Sequence, residues 1–282
     1  QVKRIEMTDP GFLVTTADKE TFTAGSVILA CGGKASAIRG SRGDGYYLAS
    51  CLGHEIAEPV PALVQLHAAD PLVKMAAGVR ADAGITTWID DKKTAFWQGE
   101  LQITDYGLSG IVVFQSSRLA AYGLLEKKDV CLEVDFLPEY AKTEAEELLQ
   151  RRLQMREGNL TLEQSLQGLL HDKLIAPILK RAGLSAEKLA GDCDKENVTR
   201  LLAALRHYVV KITDTHGFSN AQVTAGGVKT DRIDPKTMES ELVPGLFFAG
   251  EVLDVDGICG GYNLQWAWSS GALAGMHCIG KR

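Results

Sequence analysis

The sequence has few of the features that mark specialised classes of protein. Its 282 residues carry a formal net charge of -6 and contain no long run of Lys and Arg, so the electrostatic signature of a nucleic-acid binder is missing. The first ten residues are polar and charged and include no apolar core of a signal peptide. We therefore expect a cytoplasmic protein that binds neither nucleic acid nor a membrane.

The sequence also lacks the cysteine and histidine spacings that are typical of redox pairs and metal sites. The six cysteines are scattered, and no two of them have CxxC spacing, which suits a reducing compartment better than a disulfide framework. The six histidines do not pair with Cys, Asp or Glu at the spacing of a metal site, so we expect no metal. Neither a GxSxG motif nor a P-loop occurs, which removes support for hydrolases and nucleotide triphosphatases.

The usual fingerprint of a dinucleotide-binding domain does not occur near the start of the chain. That fingerprint is a strand, a GxGxxG turn, a helix and an acidic residue about 20 residues further on. Nothing before Ser26 supplies these parts. A dinucleotide site formed by later segments would therefore lack the glycine turn that holds the ADP half of the cofactor.

The strongest positive signal lies in the segment Val243–Gln265. An apolar run, Leu246–Ala249, is long enough for one buried strand, and Tyr262–Ile279 is small and apolar enough for a buried helix. The pair Gly260-Gly261 stands immediately before that helix. Because glycine lets a ligand approach the main chain and a helix N-terminus attracts electron-rich groups, the pattern predicts a cofactor seat. A tight strand-to-helix turn without a ligand explains the same residues, and both interpretations stay open.

Four ordered blocks together resemble one known family. They are Val27–Gly45, Gly99–Gln115, Val223–Ser240 and Val243–Gln265. The chain resembles the BaiN and aminoacetone-oxidase-like FAD-dependent flavoproteins, within the glutathione-reductase-like class. The resemblance covers most of the chain but begins after the GxGxxG portion of that family.

The resemblance also implies which residues contact the cofactor. The assigned residues are Gly32, Gly33, Thr224, Gly226, Gly227, Gly250, Glu251, Gly260, Gly261, Tyr262, Asn263, Leu264 and Gln265. In this assignment the helix N-terminus faces the pyrimidine edge of the flavin, and Glu251 faces the ribityl hydroxyls. Each glycine pair alone is equally typical of a structural turn, and Glu251 alone of a solvated surface acid. No residue is assigned as a catalytic acid or base.

Read with this resemblance, the sequence predicts an α/β fold. We expect a partial FAD-binding Rossmann-like domain with an inserted small β-barrel and a helical module. The expected divisions are residues 1–58 for the first part of the FAD domain, 59–141 for the barrel, 142–205 for the helical module, 206–222 for a return strand and 223–282 for the second part of the FAD domain. Within the first part, Ser26–Ala30 is fully apolar, which favours a central parallel strand, and Asp44 is expected to cap the helix that follows.

The expected function is that of an FAD-dependent oxidoreductase, acting on a small organic substrate by hydride transfer at flavin N5. The resemblance allows NAD(P)H as the reductant and does not choose the substrate or the oligomeric state. A rival hypothesis is an N-terminally truncated fragment that binds no cofactor alone and acts only as a structural or complementing piece. A nicotinamide-only dehydrogenase needs the same missing fingerprint and does not account for the block Gly260–Gln265.

Overall fold

A computed structural model of the chain describes residues 1–36, 41–154 and 160–279. The chain divides into two compact units. The first, which we call the discontinuous unit, comprises Gln1–Leu63 and Gly217–Arg282. The second, which we call the barrel unit, comprises Val64–His216.

The secondary structure follows the chain in three stretches. The first stretch contains β1 (Val2–Met7), β2 (Phe12–Thr16), β3 (Thr21–Ala24), β4 (Val27–Leu29), α1 (Asp44–Cys51) and β5 (Ile56–Ala62). The barrel unit contains β6 (Leu66–Ala68), α2 (Pro71–Met75), β7 (Arg80–Ile89), β8 (Lys92–Ile103), β9 (Gly107–Ser109), α3 (Ile111–Leu125), β10 (Val130–Asp135), α4 (Lys142–Gln154), α5 (Leu162–Leu166), α6 (Asp172–Ala182), α7 (Lys195–Arg206) and β11 (Tyr208–Thr215). The last stretch contains β12 (Val223–Val228), β13 (Leu246–Phe248) and α8 (Tyr262–Cys278).

The barrel unit is organised around a closed barrel whose strand order is β10-β11-β6-β9-β8-β7. This confirms the small barrel that the sequence predicts. Asp82, Ala83 and Gly84 have the composition of a turn but lie inside the long strand β7. Gly84 makes room for a side chain of the neighbouring strand β8, because a Cβ added at Gly84 would stand 2.9 Å from the ring of Phe96.

The helices of the barrel unit share one apolar core with its strands. A capping box begins α5, since Thr161 Oγ1 accepts from the Gln164 N–H at 3.2 Å and Gln164 Oε1 accepts from the Thr161 N–H at 3.0 Å. Asp194 caps α7 by accepting from the Asn197 N–H at 2.7 Å. Residues 155–159 of the predicted helical segment lie outside the described residues.

The discontinuous unit contains three small sheets. Strands β1, β2 and β3 form an antiparallel meander, β5 pairs with β12 antiparallel, and β4 pairs with β13 in parallel. Two expectations need correction here. Among the described residues β4 has a strand neighbour on one side only and is not central. The N-cap of α1 is Gly43 in the left-handed conformation, and Asp44 is the first residue of the helix.

Helix α8 lies where the sequence predicts it, but the prediction that it is buried is wrong. Only Ser270 and Ala274 are buried, whereas Trp268 is 67% exposed. The prediction failed because a helix with no charged residue was taken to be covered on all sides. In the part of the chain that the structure describes, no helix has both the length and the apolarity needed to cross a bilayer.

Candidate functional site

Three predicted site residues from separate segments meet in the discontinuous unit. Gly33 follows β4, Thr224 lies in β12, and Glu251 lies in a 3-10 turn, Gly250–Val252, directly after β13. The Thr224 N–H donates to Glu251 Oε1 at 2.9 Å. A Cβ on Gly33 would stand 2.4 Å from both Glu251 Oε1 and Thr224 Oγ1. The absence of a side chain at Gly33 is therefore what lets the carboxylate and the threonine come together.

The hydroxyl of Thr224 fixes the chain that leaves β4. Its Oγ1 accepts from the main-chain N–H of Lys34 at 2.8 Å and of Ala35 at 2.9 Å. Thr224 is itself almost fully buried. One side chain thus holds the loop after β4 against β12, which places Gly33 beside Glu251.

Glu251 has the electrostatics of a buried acid. Burial raises the pKa of its carboxyl above the ordinary value of 4.5, and the nearby charge of Asp256 raises the pKa further. Hydrogen bonds from Thr224 act against this and lower the pKa. The result is a carboxyl group whose charge is only partly compensated by the protein, and which can accept further hydrogen bonds from hydroxyl groups.

Tyr46 belongs to the same cluster, although the sequence analysis missed it. It lies in the first turn of α1, its side chain is 6% exposed, and its buried hydroxyl has no hydrogen-bond partner of normal geometry among the described residues, although Thr224 is near. Burial, and then the charge of Glu251, raise the pKa of the Tyr46 phenol. A buried hydroxyl without a partner carries a desolvation cost that a ligand atom can relieve. Its only sequence signal was its place two residues after Asp44, where the loop that follows β4 becomes a helix.

The N-terminus of α8 forms the second part of the candidate site. Gly261 is the N-cap at φ 88°, which disfavours residues with a side chain, and no side chain caps the first turn. A Cβ added at Gly261 would meet nothing within 4 Å, so the space beside it is open. The free N–H groups of this turn form a region of positive potential.

Asn263 fixes the approach to this helix end. Its Oδ1 accepts from the Gly257 N–H at 2.8 Å, and its Nδ2 donates to the Gly257 carbonyl at 3.0 Å. Helix α8 also holds the turn that carries Glu251, because the Gly250 N–H donates to Ser270 Oγ at 2.9 Å and Trp266 Nε1 donates to the Gly250 carbonyl at 3.2 Å. The two parts of the candidate site are therefore fixed to the same helix.

A family model described as the HI0933-like protein Rossmann domain matches residues 1–277. This chain belongs to the HI0933-like family. The Rossmann-type fold that the family description names agrees with the mixed α/β structure, and the resemblance seen in the sequence is confirmed.

Three curated relatives of this chain have names that describe an enzyme activity. A 3-dehydro-bile acid delta(4,6)-reductase of Clostridium scindens is 43% identical over 275 residues, covering 98% of this chain and 67% of the relative. Two ribosomal RNA dihydrouridine synthases are 30% identical, one from Haemophilus influenzae over 272 residues and one from Escherichia coli over 275 residues. Each match covers 96% of this chain and 64% of the relative. The chain thus spans about two thirds of the length of these relatives.

Three further glycines that were predicted as site residues lie close to other parts of the fold. Gly226 and Gly227 lie inside β12, where an added Cβ would stand 2.6 Å from the Glu58 carbonyl oxygen and 2.7 Å from the Val252 carbonyl oxygen respectively. They let β12 approach the main chain of β5 and of the turn after β13. Gly32 borders Ser41, whose Oγ is 3.7 Å from the position of an added Cβ.

The remaining predicted residues lie on the outside of α8. Tyr262 is 58% exposed and Leu264 is 60% exposed. Gln265 donates from Nε2 to Ser269 Oγ at 2.9 Å, along the exposed side of the helix. The structure thus gathers Gly33, Thr224 and Glu251 closely, joins Gly250 to α8, and leaves Tyr262, Leu264 and Gln265 at the surface.

Proposed function

We propose that this chain forms the flavin-contacting part of an FAD-dependent oxidoreductase, which reduces a carbon–carbon double bond conjugated to a carbonyl group in a small organic molecule. The observation that carries the proposal is the cluster of Glu251, Thr224 and the buried Tyr46 hydroxyl, fixed to a helix whose first turn has no side-chain cap among the described residues. The acceptor at Glu251, the hydroxyl of Tyr46 and the helix N-terminus together suit a cofactor that has both hydroxyl groups and an electron-rich ring.

The names of the relatives point to one reaction class. A 3-dehydro bile acid carries a carbonyl at carbon 3, so double bonds at positions 4 and 6 are conjugated with it. Dihydrouridine is uridine whose double bond next to a ring carbonyl has been saturated. Both reactions add a hydride and a proton across a double bond that a carbonyl activates. We extend this shared chemistry to the present chain.

A bound flavin, once reduced by NAD(P)H, would supply the hydride from its N5 and return to the oxidised form. The chain binds and orients the cofactor. Glu251 would accept hydrogen bonds from ribityl hydroxyls, and Tyr46 would offer a buried hydroxyl that has no hydrogen-bond partner of normal geometry among the described residues. The first turn of α8 stabilises negative charge on the flavin ring by about 0.3–1 kcal/mol.

A small molecule is the proposed substrate, rather than RNA. The net charge of -6 repels a polyanion, and the relative named for a bile-acid substrate is 43% identical, against 30% for the relatives named for ribosomal RNA. If the flavin-loaded protein oxidises NAD(P)H with steroid enones and leaves the uridines of ribosomal RNA unchanged, the assignment to small molecules holds. Reduction of RNA without turnover of any enone would reject it.

Flavin titration of the 282-residue chain tests the cofactor assignment. We expect added FAD to lose fluorescence on binding and to raise the Tm of the chain. Glu251→Gln should weaken binding at least tenfold, whereas Glu241→Gln, an exposed acid in the same unit, should leave it unchanged. A folded chain that shows neither effect would contradict the proposal that it holds the flavin itself.

A further inference from the structure

Two histidines of the barrel unit share one hydrogen bond. His67 lies in β6, and His216 is the residue that follows β11. His67 Nε2 and His216 Nδ1 are 2.7 Å apart. At this distance one ring donates its N–H to the bare nitrogen of the other, because two N–H groups or two lone pairs that face each other would repel. The two rings therefore act as one unit, which we call the histidine pair.

A tyrosine from a third segment packs on the histidine pair. Tyr106 lies in the turn between β8 and β9. Its ring stacks on the ring of His216, with the centroids 4.4 Å apart and the planes 9° from parallel. The centroid of the Tyr106 ring is also 5.1 Å from that of His67. Because the face of a phenol ring attracts a cation, this stack favours a positively charged imidazole in the pair.

The main chain holds the tyrosine turn against β6. The Ala68 N–H donates to the Tyr106 carbonyl at 3.0 Å, and the Thr104 hydroxyl donates to the Gly107 carbonyl at 3.0 Å. Glycine is needed for this approach, because a Cβ added at Gly107 would stand 2.9 Å from the Cα of His67. The two histidines and the tyrosine are each half-buried. The cluster is therefore fixed by the fold and still within reach of a ligand.

The shared hydrogen bond lets the histidine pair hold and release a proton without a change of geometry. In the neutral pair one of the ring protons lies between the two rings, and one outer ring nitrogen carries no proton. A proton that binds to this outer nitrogen gives the pair one positive charge and leaves the hydrogen bond intact. A second added proton would set N–H against N–H and break the pair. Imidazole is the side-chain group that ordinarily gains and loses a proton near neutral pH.

The other histidines and the site tyrosine are less suited to give a proton. His54 is buried, and burial lowers the pKa of its imidazole, so it stays neutral. His171 caps the start of α6, His207 faces a carboxylate, and His277 bonds to a carbonyl of its own helix. Burial raises the pKa of the Tyr46 phenol, which makes it a weaker acid. Among these groups the histidine pair is the best proton donor at neutral pH.

We propose that the histidine pair binds the carbonyl oxygen of the substrate and supplies the proton that the reduction of the double bond requires. This inference rests on the proposed function. The carbon of the double bond farther from the carbonyl gains a hydride, the electrons of the double bond move toward the carbonyl, and its oxygen takes one proton from the pair. The positive charge of the pair stabilises the negative charge that develops on this oxygen.

The product of this step is an enol, and water completes the reaction. The enol becomes a saturated ketone when it loses the proton on oxygen and gains a proton on carbon. The histidine pair, left neutral, takes its next proton from water. NAD(P)H is oxidised and supplies both electrons and the hydrogen of the hydride by way of the flavin. The substrate thus gains two electrons and two protons.

Binding of 4-nitrophenol tests the oxygen site without turnover and without FAD. Its hydroxyl on an unsaturated ring mimics the enol, and its absorbance reports both binding and loss of the proton. We expect the 282-residue chain to bind it, and His67→Gln and His216→Gln each to weaken binding at least tenfold. The matched control is His207→Gln, because His207 lies in the same unit and its side chain is 65% exposed. This control should leave binding unchanged.

Reoxidation of the reduced, FAD-loaded chain tests the proton transfer. Testosterone, a steroid enone, needs a proton to accept a hydride, whereas ferricyanide accepts electrons alone. In stopped-flow measurements His67→Gln and His216→Gln should slow reoxidation by testosterone about a hundredfold or more. Both variants should change reoxidation by ferricyanide less than about twofold, because no proton is delivered to that acceptor. His207→Gln should slow neither reaction.

Several outcomes would overturn the inference. One is nitrophenol binding that neither histidine variant weakens. Another is a variant that slows ferricyanide as much as testosterone, since the histidine would then serve the fold of the barrel unit. If the variants do not fold, ¹⁵N NMR of the unsubstituted chain decides, because nitrophenol must shift the ring nitrogens of His67 and His216. Shifts confined to the other histidines would reject the pair.

The failure of this inference can be told apart from the failure of the proposed function. An FAD-loaded chain that reduces testosterone equally fast with and without the two histidines would reject the role of the pair alone. A chain that binds FAD but reduces no enone would reject the proposed function and the proton transfer with it. Nitrophenol binding through the pair would then show a site for phenols that has no part in such a reduction.

Discussion

The two units of the chain satisfy their strand edges in different ways. In the barrel unit six strands close on one another, and its helices bury their apolar sides in the same core. In the discontinuous unit the strands form three separate sheets, and most of the large exposed apolar side chains of the described residues belong to this unit. Closure removes edges, whereas open sheets leave surfaces for partners. The candidate cofactor site lies in the open unit.

The largest expected effect comes from a buried position of the closed unit. Leu132 in β10 is 0% exposed, and truncation to Ala should lower the free energy of unfolding by about 2–5 kcal/mol. Trp268→Ala in α8 should change the stability of the chain alone by less than about 0.5 kcal/mol, since its side chain is mostly in water. Urea unfolding of both variants measures the difference. Equal losses of stability in the two variants would show that Trp268 is already buried, and would contradict the contrast drawn between the two units.

The next effect concerns the glycine that brings the site together. Gly33→Ala places a Cβ where Glu251 Oε1 and Thr224 Oγ1 now lie, so we expect a loss of about 1–3 kcal/mol from overpacking, together with weaker FAD binding. Gly271→Ala is the matched control, because open space surrounds its Cβ. It should stabilise the helix by about 0.5–1 kcal/mol. Unfolding curves that show both variants equally stable would contradict the close packing at Gly33.

Two tyrosine hydroxyls sharpen the comparison between the units. Tyr208 in the barrel unit donates to Asp70 Oδ1 at 2.9 Å, so Tyr208→Phe should cost about 1 kcal/mol. Tyr46→Phe removes a buried hydroxyl that has no partner of normal geometry among the described residues, and should leave stability unchanged or raise it by up to about 1 kcal/mol. The same variant should weaken FAD binding. A destabilised Tyr46→Phe chain with full FAD affinity would mean that the hydroxyl serves the fold and not a ligand.

The smallest expected effect is a change in the pH dependence of stability. The pKa of Glu251 is raised in the folded chain above its ordinary value of 4.5. The Glu251 carboxyl therefore holds its proton more tightly in the folded chain than in the unfolded chain. As a result, the free energy of unfolding falls as the pH rises from 4.5 through the pKa of Glu251 in the folded chain. Glu251→Gln should remove this decline, so the variant gains stability relative to the original chain between acidic and neutral pH. A pH-independent difference in Tm would contradict the shift.

Local patterns in the sequence were sufficient where the interactions are local. The meander of β1 to β3, the capping box at Thr161 and the position of α8 follow from turn residues, caps and apolar runs that act over a few residues. The meeting of Gly33, Thr224 and Glu251 was predicted only through the resemblance, because their contacts join residues far apart in the chain.

Long-range contacts explain what the sequence analysis missed. The buried hydroxyl of Tyr46 depends on the packing of α1 against β12, and a tyrosine near a helix start carries no sign of it. The pairing of β5 with β12 was missed because Pro59 and Pro61 argue against a strand. The exposure of α8 could not be predicted either, since its apolar composition does not show which of its side chains face solvent.

The central claim is that the start of α8 and the Glu251 cluster hold a flavin. Its most direct test is the flavin content of the 282-residue chain after saturation with FAD and removal of unbound FAD by gel filtration, with Gly261→Val compared against Gly53→Val. Both glycines have a left-handed φ, 88° and 91°, and space for a Cβ, but only Gly261 lies at the candidate site. We predict about one FAD per chain in the original protein and in Gly53→Val, and none in Gly261→Val. Full FAD occupancy in Gly261→Val, or equal loss from both variants, would contradict the claim.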